Sequence, residues 1–346
     1  PEMRHSINQI LRYPENSAGS IMTTEYVSLR PHMTVEEAIL RIRRQGVDKE
    51  TIYTCYVTAK DRKLLGLVTV KDLLLADDDE MKIEELMQEN ISDLIYVNTK
   101  TDQEEVALMF NKYNFLAIPV VDGEGRMVGI VTFDDAMDVM EEEATEDMEL
   151  MSGMTPSEKP YLRSTSFELF KNRIPWLMLM MVSATFTGLI MTAFEDALAA
   201  QIALSAFIPM LMGTGGNSGS QSSVTVIRGL SLGELEFRDI GVILWKEIRT
   251  AMMCGVALSV VCFAKIWLVD HLMMGNDNIT LMVDLVVCLA LAVTVVLAKM
   301  VGCMLPLAAK AVKLDPAVMA SPFISTIVDA LSLLVYFMFA KMLLNI

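Results

Sequence analysis

The stretch Gly66-Leu-Val-Thr-Val-Lys-Asp72 returns 63 residues later as Gly129-Ile-Val-Thr-Phe-Asp-Asp135, and this recurrence decides the fold of the first half of the chain. Working outward, Ile21-Met22 recurs as Leu86-Met87. Each copy opens with a short β-like run, Val27–Leu29 or Leu94–Val97, followed by a helical pattern starting at Thr34 or Thr101. Thr34-Val-Glu-Glu37 and Thr101-Asp-Gln-Glu104 have the capping-box spacing that satisfies orphan N–H groups at a helix start. Two β runs joined by a polar turn come next: Thr54–Thr58 with Leu65–Val70, and Ala117–Val121 with Met127–Thr132. Asp122-Gly-Glu-Gly supplies the residues that a hairpin turn needs. A second helix closes each copy.

This doubled β-α-β-β-α order, over roughly residues 17–143, resembles a tandem pair of CBS domains. In that family the Gly-x-Val-Thr-x-x-Asp turn often holds an adenosine nucleotide, with the Thr near phosphate and the Asp on the ribose. The resemblance therefore nominates Thr69, Asp72, Thr132 and Asp135 for ATP or another adenosine nucleotide. The competing reading is that these turns only cap the second helix of each copy.

Charge separates the chain into two parts. Residues 1–150 carry 15 Lys/Arg and 31 Asp/Glu, while residues 151–346 carry 13 of each, so the whole net charge of −16 lies on the first part. Such a surplus repels nucleic acid and attracts metal cations. The closing helix of the second copy concentrates it: Asp134, Asp135, Asp138, Glu141, Glu142, Glu143, Glu146, Asp147 and Glu149 occur with no basic residue among them. Like charges at helical spacing destabilise the helix unless something neutralises them. A solvated face is the bland reading. Oxygen-only ligands without an Asp-x-Asp-x-Asp-Gly calcium loop favour magnesium as the neutralising ion. The five cysteines show no paired-ligand spacing, and three histidines make no zinc-type cluster.

From Ile174 onward the chain carries apolar runs long enough to cross a bilayer. No secretory signal precedes the acidic part, which is expected on the cytoplasmic side of the cell (inner) membrane. Five spans are predicted at about 174–194, 202–227, 250–269, 280–303 and 318–341. Arg163, Lys171, Arg173, Arg228, Arg238, Lys246, Arg249, Lys310 and Lys313 fall on one side, while Glu195, Asp196, Asp270 and Asp277 fall on the other. Positive-inside counting then puts the N-terminus inside and the C-terminus outside.

Two features do not suit helices that only face lipid. Gly213-Thr-Gly-Gly-Asn-Ser-Gly-Ser-Gln-Ser-Ser223 interrupts the second span. Such small and polar residues predict a broken, cavity-lining segment, since unwound backbone survives at membrane depth only beside water or inside protein. The alternative is a close helix contact. In the fifth span, Asp329 lies near the middle of a run from Pro316 to Ala340 that is otherwise uncharged. A carboxylate there costs about 2.5–3.5 kcal/mol on insertion scales and marks an ion pathway. Ser321, Ser325, Asp329 and Ser332 are spaced to share one helix face. Asp284 and Lys299 are read as lying near span ends. One Asp per chain makes a homodimer the economical pore, since magnesium is held through one or two carboxylates with its waters retained.

Together these residues resemble the MgtE family of magnesium channels: the CBS pair, the acidic helix 134–147, the run from Pro209 to Gln221, and Asp315-Pro-Ala leading to Asp329. The resemblance implies a homodimer whose second and fifth spans line the pore. Asp329 would hold a hydrated ion, and Gly216, Asn217, Gln221, Ser321 and Ser325 would line the passage. It also implies closure by cytosolic Mg2+ held at Asp134, Asp135, Asp138, Glu143, Glu146, Asp147 and Asp315. The expected organisation is the tail of a further N-terminal domain at 1–19, CBS domains at 20–85 and 86–149, a linker and connecting helix at 150–173, and a pore domain at 174–346. Its partners are a second copy, Mg2+ and membrane lipids, with no nucleic acid. A membrane-anchored metal sensor without transport is the alternative. An enzyme is disfavoured, because no nucleophile–base pair stands out.

Overall fold

The computed structural model describes residues 11–87, 94–157, 159–275 and 279–344. Asp277 and most of the expected tail at 1–19 therefore lie outside the described residues. The chain forms two compact units, Pro1–Ala144 and Thr145–Ile346.

In the first unit, helix α1 (Ala18–Ile21) precedes β1 (Ser28–Leu29), α2 (Val35–Gln45), β2 (Thr54–Thr58), β3 (Leu64–Thr69) and α3 (Val70–Leu74). The second copy follows with α4 (Ile83–Leu86), β4 (Val97–Asn98), α5 (Gln103–Tyr113), β5 (Ala117–Val121), β6 (Met127–Thr132) and α6 (Phe133–Met151). The sheets are ordered β1-β2-β3 and β4-β5-β6, each with one parallel and one antiparallel pair. Their registers match across the repeat: Cys55 pairs Val68 and Ile118 pairs Val131, and both hairpins slip one residue at the same place. Alternating β-branched residues thus place Val57 and Val68 in one core, and Val120 and Val131 in the other.

The first segments of the two copies are exchanged. Ala18 and Met22 pack with Val97, Phe110 and Ile118 of the second copy, whereas Ile83 packs with Val27, Leu29 and Val35 of the first. Reciprocal backbone bonds between Thr23 and Ile130 (2.8 and 2.9 Å) stitch the copies together. A boundary at 85/86 therefore divides the sequence but not the packing.

The expected capping box at Thr34 is present, with Glu37 N–H donating to Thr34 Oγ1 (3.3 Å) and Thr34 N–H to Glu37 Oε2 (3.2 Å). At α5 the cap is Asp102, one residue later than expected, because its carboxylate accepts the Glu104 N–H (2.9 Å) while Thr101 Oγ1 accepts from Asn98 N–H (3.1 Å).

The second unit holds five long helices among the described residues: α7 (Ser166–Ala193), then, after a short α8 (Glu195–Ala200), α9 (Ile208–Ser231), α10 (Ile240–Lys265), α11 (Leu281–Ala311) and α12 (Ser321–Leu344). A π-helical stretch, Ile266–Met273, extends α10. Four of these are long and apolar enough to cross a membrane: α7, α10 with its extensions, α11 and α12. The 24 residues of α9 span about 36 Å, enough to cross as well, but its glycines and serines lower its hydropathy. Helix α11 is central, with α9, α10 and α12 packed around it. Helix α7 packs against α12 and buries none of its own residues. It runs unbroken from its Thr165–Glu168 capping box through Pro175, so the expected connecting helix is its first two turns.

Candidate functional site

The glycine-rich segment of α9 is helical throughout, which corrects the expectation of a broken span. The physical reason lies in its packed face. A Cβ on Gly302 of α11 would run into the carbonyl oxygen of Gly219, and one on Gly219 would come within 2.6 Å of Ile324 Cγ2. On the same face, a Cβ on Gly215 would meet Thr294, Val328 and Ser332 at 2.8–2.9 Å. The small residues permit helix axes to approach closely while the backbone keeps its own hydrogen bonds.

The other side of α9 is different. Asn217 and Gln221 are exposed, and open space surrounds Gly213. Gly216 lies between these faces; a Cβ there would stand 3.9 Å from Ser325 of α12. One turn beyond Ser325 is Asp329, half-buried and without a hydrogen bond or ion pair among the described residues. Two members of the expected serine stripe differ in their surroundings. Ser332 is buried and donates to the Val328 carbonyl (2.6 Å), so its hydroxyl is turned back on its own helix rather than toward an open passage. Ser321 begins α12, and its side chain lies outside the described residues.

The acidic residues of α6 are not gathered into a ready-made cage. Among the described residues no three His, Cys, Asp or Glu side chains converge on one position suited to an ion. Asp134, Asp138, Glu141 and Glu142 are exposed, while Glu143 accepts from Gln103 Nε2 (2.8 Å). Within the second unit the end of the helix is anchored. Asp147 accepts from Ser231 Oγ (3.0 Å), and Leu150 packs with Ile227 of α9 and with Ala317 and Ala320 just before α12. Gly153, at φ +69°, then ends the helix, as the linker composition predicts. Asp315 caps the short 3-10 turn Pro316–Met319 by accepting the Ala317 N–H (2.7 Å).

The residues nominated for a nucleotide have local partners. Asp72 accepts from the Thr69 N–H (2.9 Å) and hydroxyl (2.6 Å), and Asp135 accepts from the Thr132 hydroxyl (2.6 Å). The Thr69 turn is a capping box for α3, and at the start of α6 the Thr132 and Asp135 side chains are bonded to each other.

Sequence reasoning missed one constellation. Helix α11 continues through Pro306 to Ala311, so Lys299 lies well inside it rather than near a span end. The ammonium is buried, 3.3 Å from Ser222 Oγ, and Ser222 donates to Glu247 Oε2 (2.6 Å) on α10. Asp284 is buried too and meets His271 Nε2 at 3.1 Å. An uncompensated lysine inside a 31-residue apolar helix was the available signal.

Comparison with known proteins agrees with this architecture. The profile of the MgtE family, described as a divalent cation transporter, matches residues 208–339, and CBS domain profiles match 18–79 and 83–142. The magnesium transporter MgtE of Thermus thermophilus is 37% identical over 345 residues, covering 100% of this chain and 74% of that protein. That of Bacillus subtilis is 36% identical, covering 96% and 70%. Among solved structures, the cytosolic domain of the Mg2+ channel MgtE in complex with ATP is 45% identical over 40% of this chain and 54% of that one, with a TM-score of 0.38. The chain spans about three quarters of its full-length relatives and carries both their CBS pair and their apolar helices; it is a membrane protein belonging to the MgtE family of divalent cation transporters, not an enzyme.

Proposed function

We propose that this protein is a channel passing Mg2+ down its electrochemical gradient into the cytoplasm and closed by Mg2+ on the cytoplasmic side. The observation that carries the reading is Asp329: a carboxylate with no protein partner among the described residues, half-exposed on an apolar helix, one turn from the Ser325–Gly216 contact. Magnesium dehydrates reluctantly, so one or two such carboxylates acting through retained waters suffice. Two chains related by a two-fold axis supply the second, with Gly216, Asn217, Gln221, Ser321 and Ser325 along the passage. The exposed polar side of α9 is then covered by water and a second copy instead of lipid. A divalent ion gains roughly 4.6 kcal/mol per 100 mV of inside-negative potential, so inward flow needs no coupled ion.

Closure follows from charge. Asp134, Asp135, Asp138, Glu143, Glu146, Asp147 and Asp315 bind cytosolic Mg2+ once it accumulates. The packing of Leu150 onto Ile227, Ala317 and Ala320 supports this reading, because it ties the end of the acidic helix to the ends of the two passage helices. An adenosine nucleotide at Thr69, Asp72, Thr132 and Asp135 would act as a modulator, displacing the local bonds it replaces.

The test is Mg2+ uptake into proteoliposomes at low internal magnesium, with and without Asp329→Asn. Uptake that depends on Asp329 supports the channel. No uptake by folded wild-type protein favours a membrane-anchored sensor, and uptake indifferent to Asp329 discards the passage described here.

A further inference from the structure

Ile208 and Leu211 pack the start of α9, and Val226, Ile227 and Leu230 pack its end, but the stretch between them carries little that would fix its rotation. Gly215 and Gly219 present no side chains to interlock with neighbours, and dispersion contacts between small residues are non-directional. Ser222 lies one turn beyond Ser218 on that face, and both are buried. Its hydroxyl accepts from the buried Lys299 ammonium of α11 at 3.3 Å and donates to Glu247 Oε2 of α10 at 2.6 Å. Three helices therefore meet at one hydroxyl, between a cation and a carboxylate. The bond to Glu247 is short, as charge-assisted hydrogen bonds are, and such bonds strengthen where water is excluded. If α9 turned or slid, a buried ammonium would lose its partner, which is among the most unfavourable changes that a protein interior can undergo.

We propose that Lys299, Ser222 and Glu247 form a clamp that fixes the rotation of α9 and thereby sets which ions the passage admits. Gln221 neighbours Ser222 in the chain, and Asn217 lies a turn earlier on the same exposed side. A turn of this middle stretch of α9 would sweep both past the axis along which Asp329 lies. None of the three clamp residues touches the ion; they are positioning residues. The clamp also explains why Gly302 stands three residues after Lys299 on α11. The close approach of α9 and α11 there brings Ser222 within reach of the ammonium.

The inference rests on the channel reading, so its test carries Asp329→Asn alongside. Uptake of Mg2+ and of Ca2+ into proteoliposomes is measured for the wild type and for Ser222→Ala, Lys299→Met and Lys299→Arg, with the thermal midpoint of each purified protein. Ser222→Ala and Lys299→Met should lower the Mg2+/Ca2+ uptake ratio by about tenfold, the weight of one hydrogen bond to a charged group. Lys299→Arg should keep most of the ratio, because it retains a buried cation able to donate to Ser222. Should Lys299→Met not fold, Ser222→Ala decides alone, since it removes one hydroxyl and leaves both charges. A Ser222→Ala protein with wild-type ratio would overturn the inference, as would equal losses for both ions with a lowered midpoint. Uptake unaffected by Asp329→Asn would overturn the channel reading and this one with it. Asp329-dependent uptake that Ser222→Ala leaves unchanged would overturn the clamp only.

Discussion

Replacing Asp329 with Asn should separate function from stability in opposite directions. The side chain is half-buried, with no partner among the described residues to lose. Removing its charge relieves a desolvation cost of about 2.5–3.5 kcal/mol on insertion scales. The variant should therefore melt at the wild-type temperature or above it. For the ion the balance is reversed. A hydrated Mg2+ separated from the carboxylate by one water layer lies about 4.5 Å away, and at an effective dielectric of about 20 the attraction is roughly 7 kcal/mol before desolvation. If only a fifth of that survives as net binding, about 1.4 kcal/mol, the population of ion in the passage falls about tenfold. Uptake at sub-saturating magnesium should fall by at least that factor, as read by an entrapped magnesium-sensitive dye alongside a thermal melt of the same preparation. A melt lowered by several degrees would refute the reasoning, because it would make Asp329 a structural partner. Undiminished uptake would refute it equally.

Three further outcomes follow from other parts of the molecule. Gly302→Ala places a Cβ against the Gly219 carbonyl, where backbone has to move, and should destabilise the protein by about 1–3 kcal/mol; Gly241→Ala, with open space around it, should not lower the midpoint and serves as its control. Neutralising Asp135, Asp138, Glu143, Glu146 and Asp147 together should shift the inhibition of uptake to higher cytoplasmic-side magnesium and leave flux at low magnesium intact, and an unchanged inhibition curve would count against the acidic helix as the sensor. Burial pushes the Cys55 thiol from 9.0 up to about 12. Its folded-state value is raised, so the stability linked to it is complete below pH 9 and is lost as pH climbs toward 12. Chemical denaturation of the wild type and Cys55→Ala across this range should show a shallower alkaline decline for the variant.

The first unit could be read closely because its signals are local. Gly-x-Val-Thr turns, hairpin residues and alternating β-branched runs act within a few positions, and the register of Cys55 with Val68 and Ile118 with Val131 repeats them faithfully. The exchange of Met22 and Ile83 between the two cores was hidden, since matching sequence positions do not reveal which copy each segment packs on. Asp102 displaced Thr101 as a cap because both have an oxygen able to accept, and one residue of drift satisfies the same N–H groups.

In the second unit the unusual residues were visible in the sequence and their packing was not. Glycine lowers helix propensity by about 1 kcal/mol in water, which made Gly213–Ser223 look unwound. Without water, an open backbone costs several kcal/mol per group, so the helix persists and its glycines serve the crossing with Gly302 instead. Asp329 could be found because a single carboxylate in an apolar run is conspicuous along the chain. Lys299 is just as anomalous, yet its meaning depends on Ser222 and Glu247, 77 and 52 positions away on other helices. A charge without partners is conspicuous along one helix, whereas a charge held by the protein is understood only through its partners. That difference is why Asp329 could be singled out from one helix and Lys299 required three.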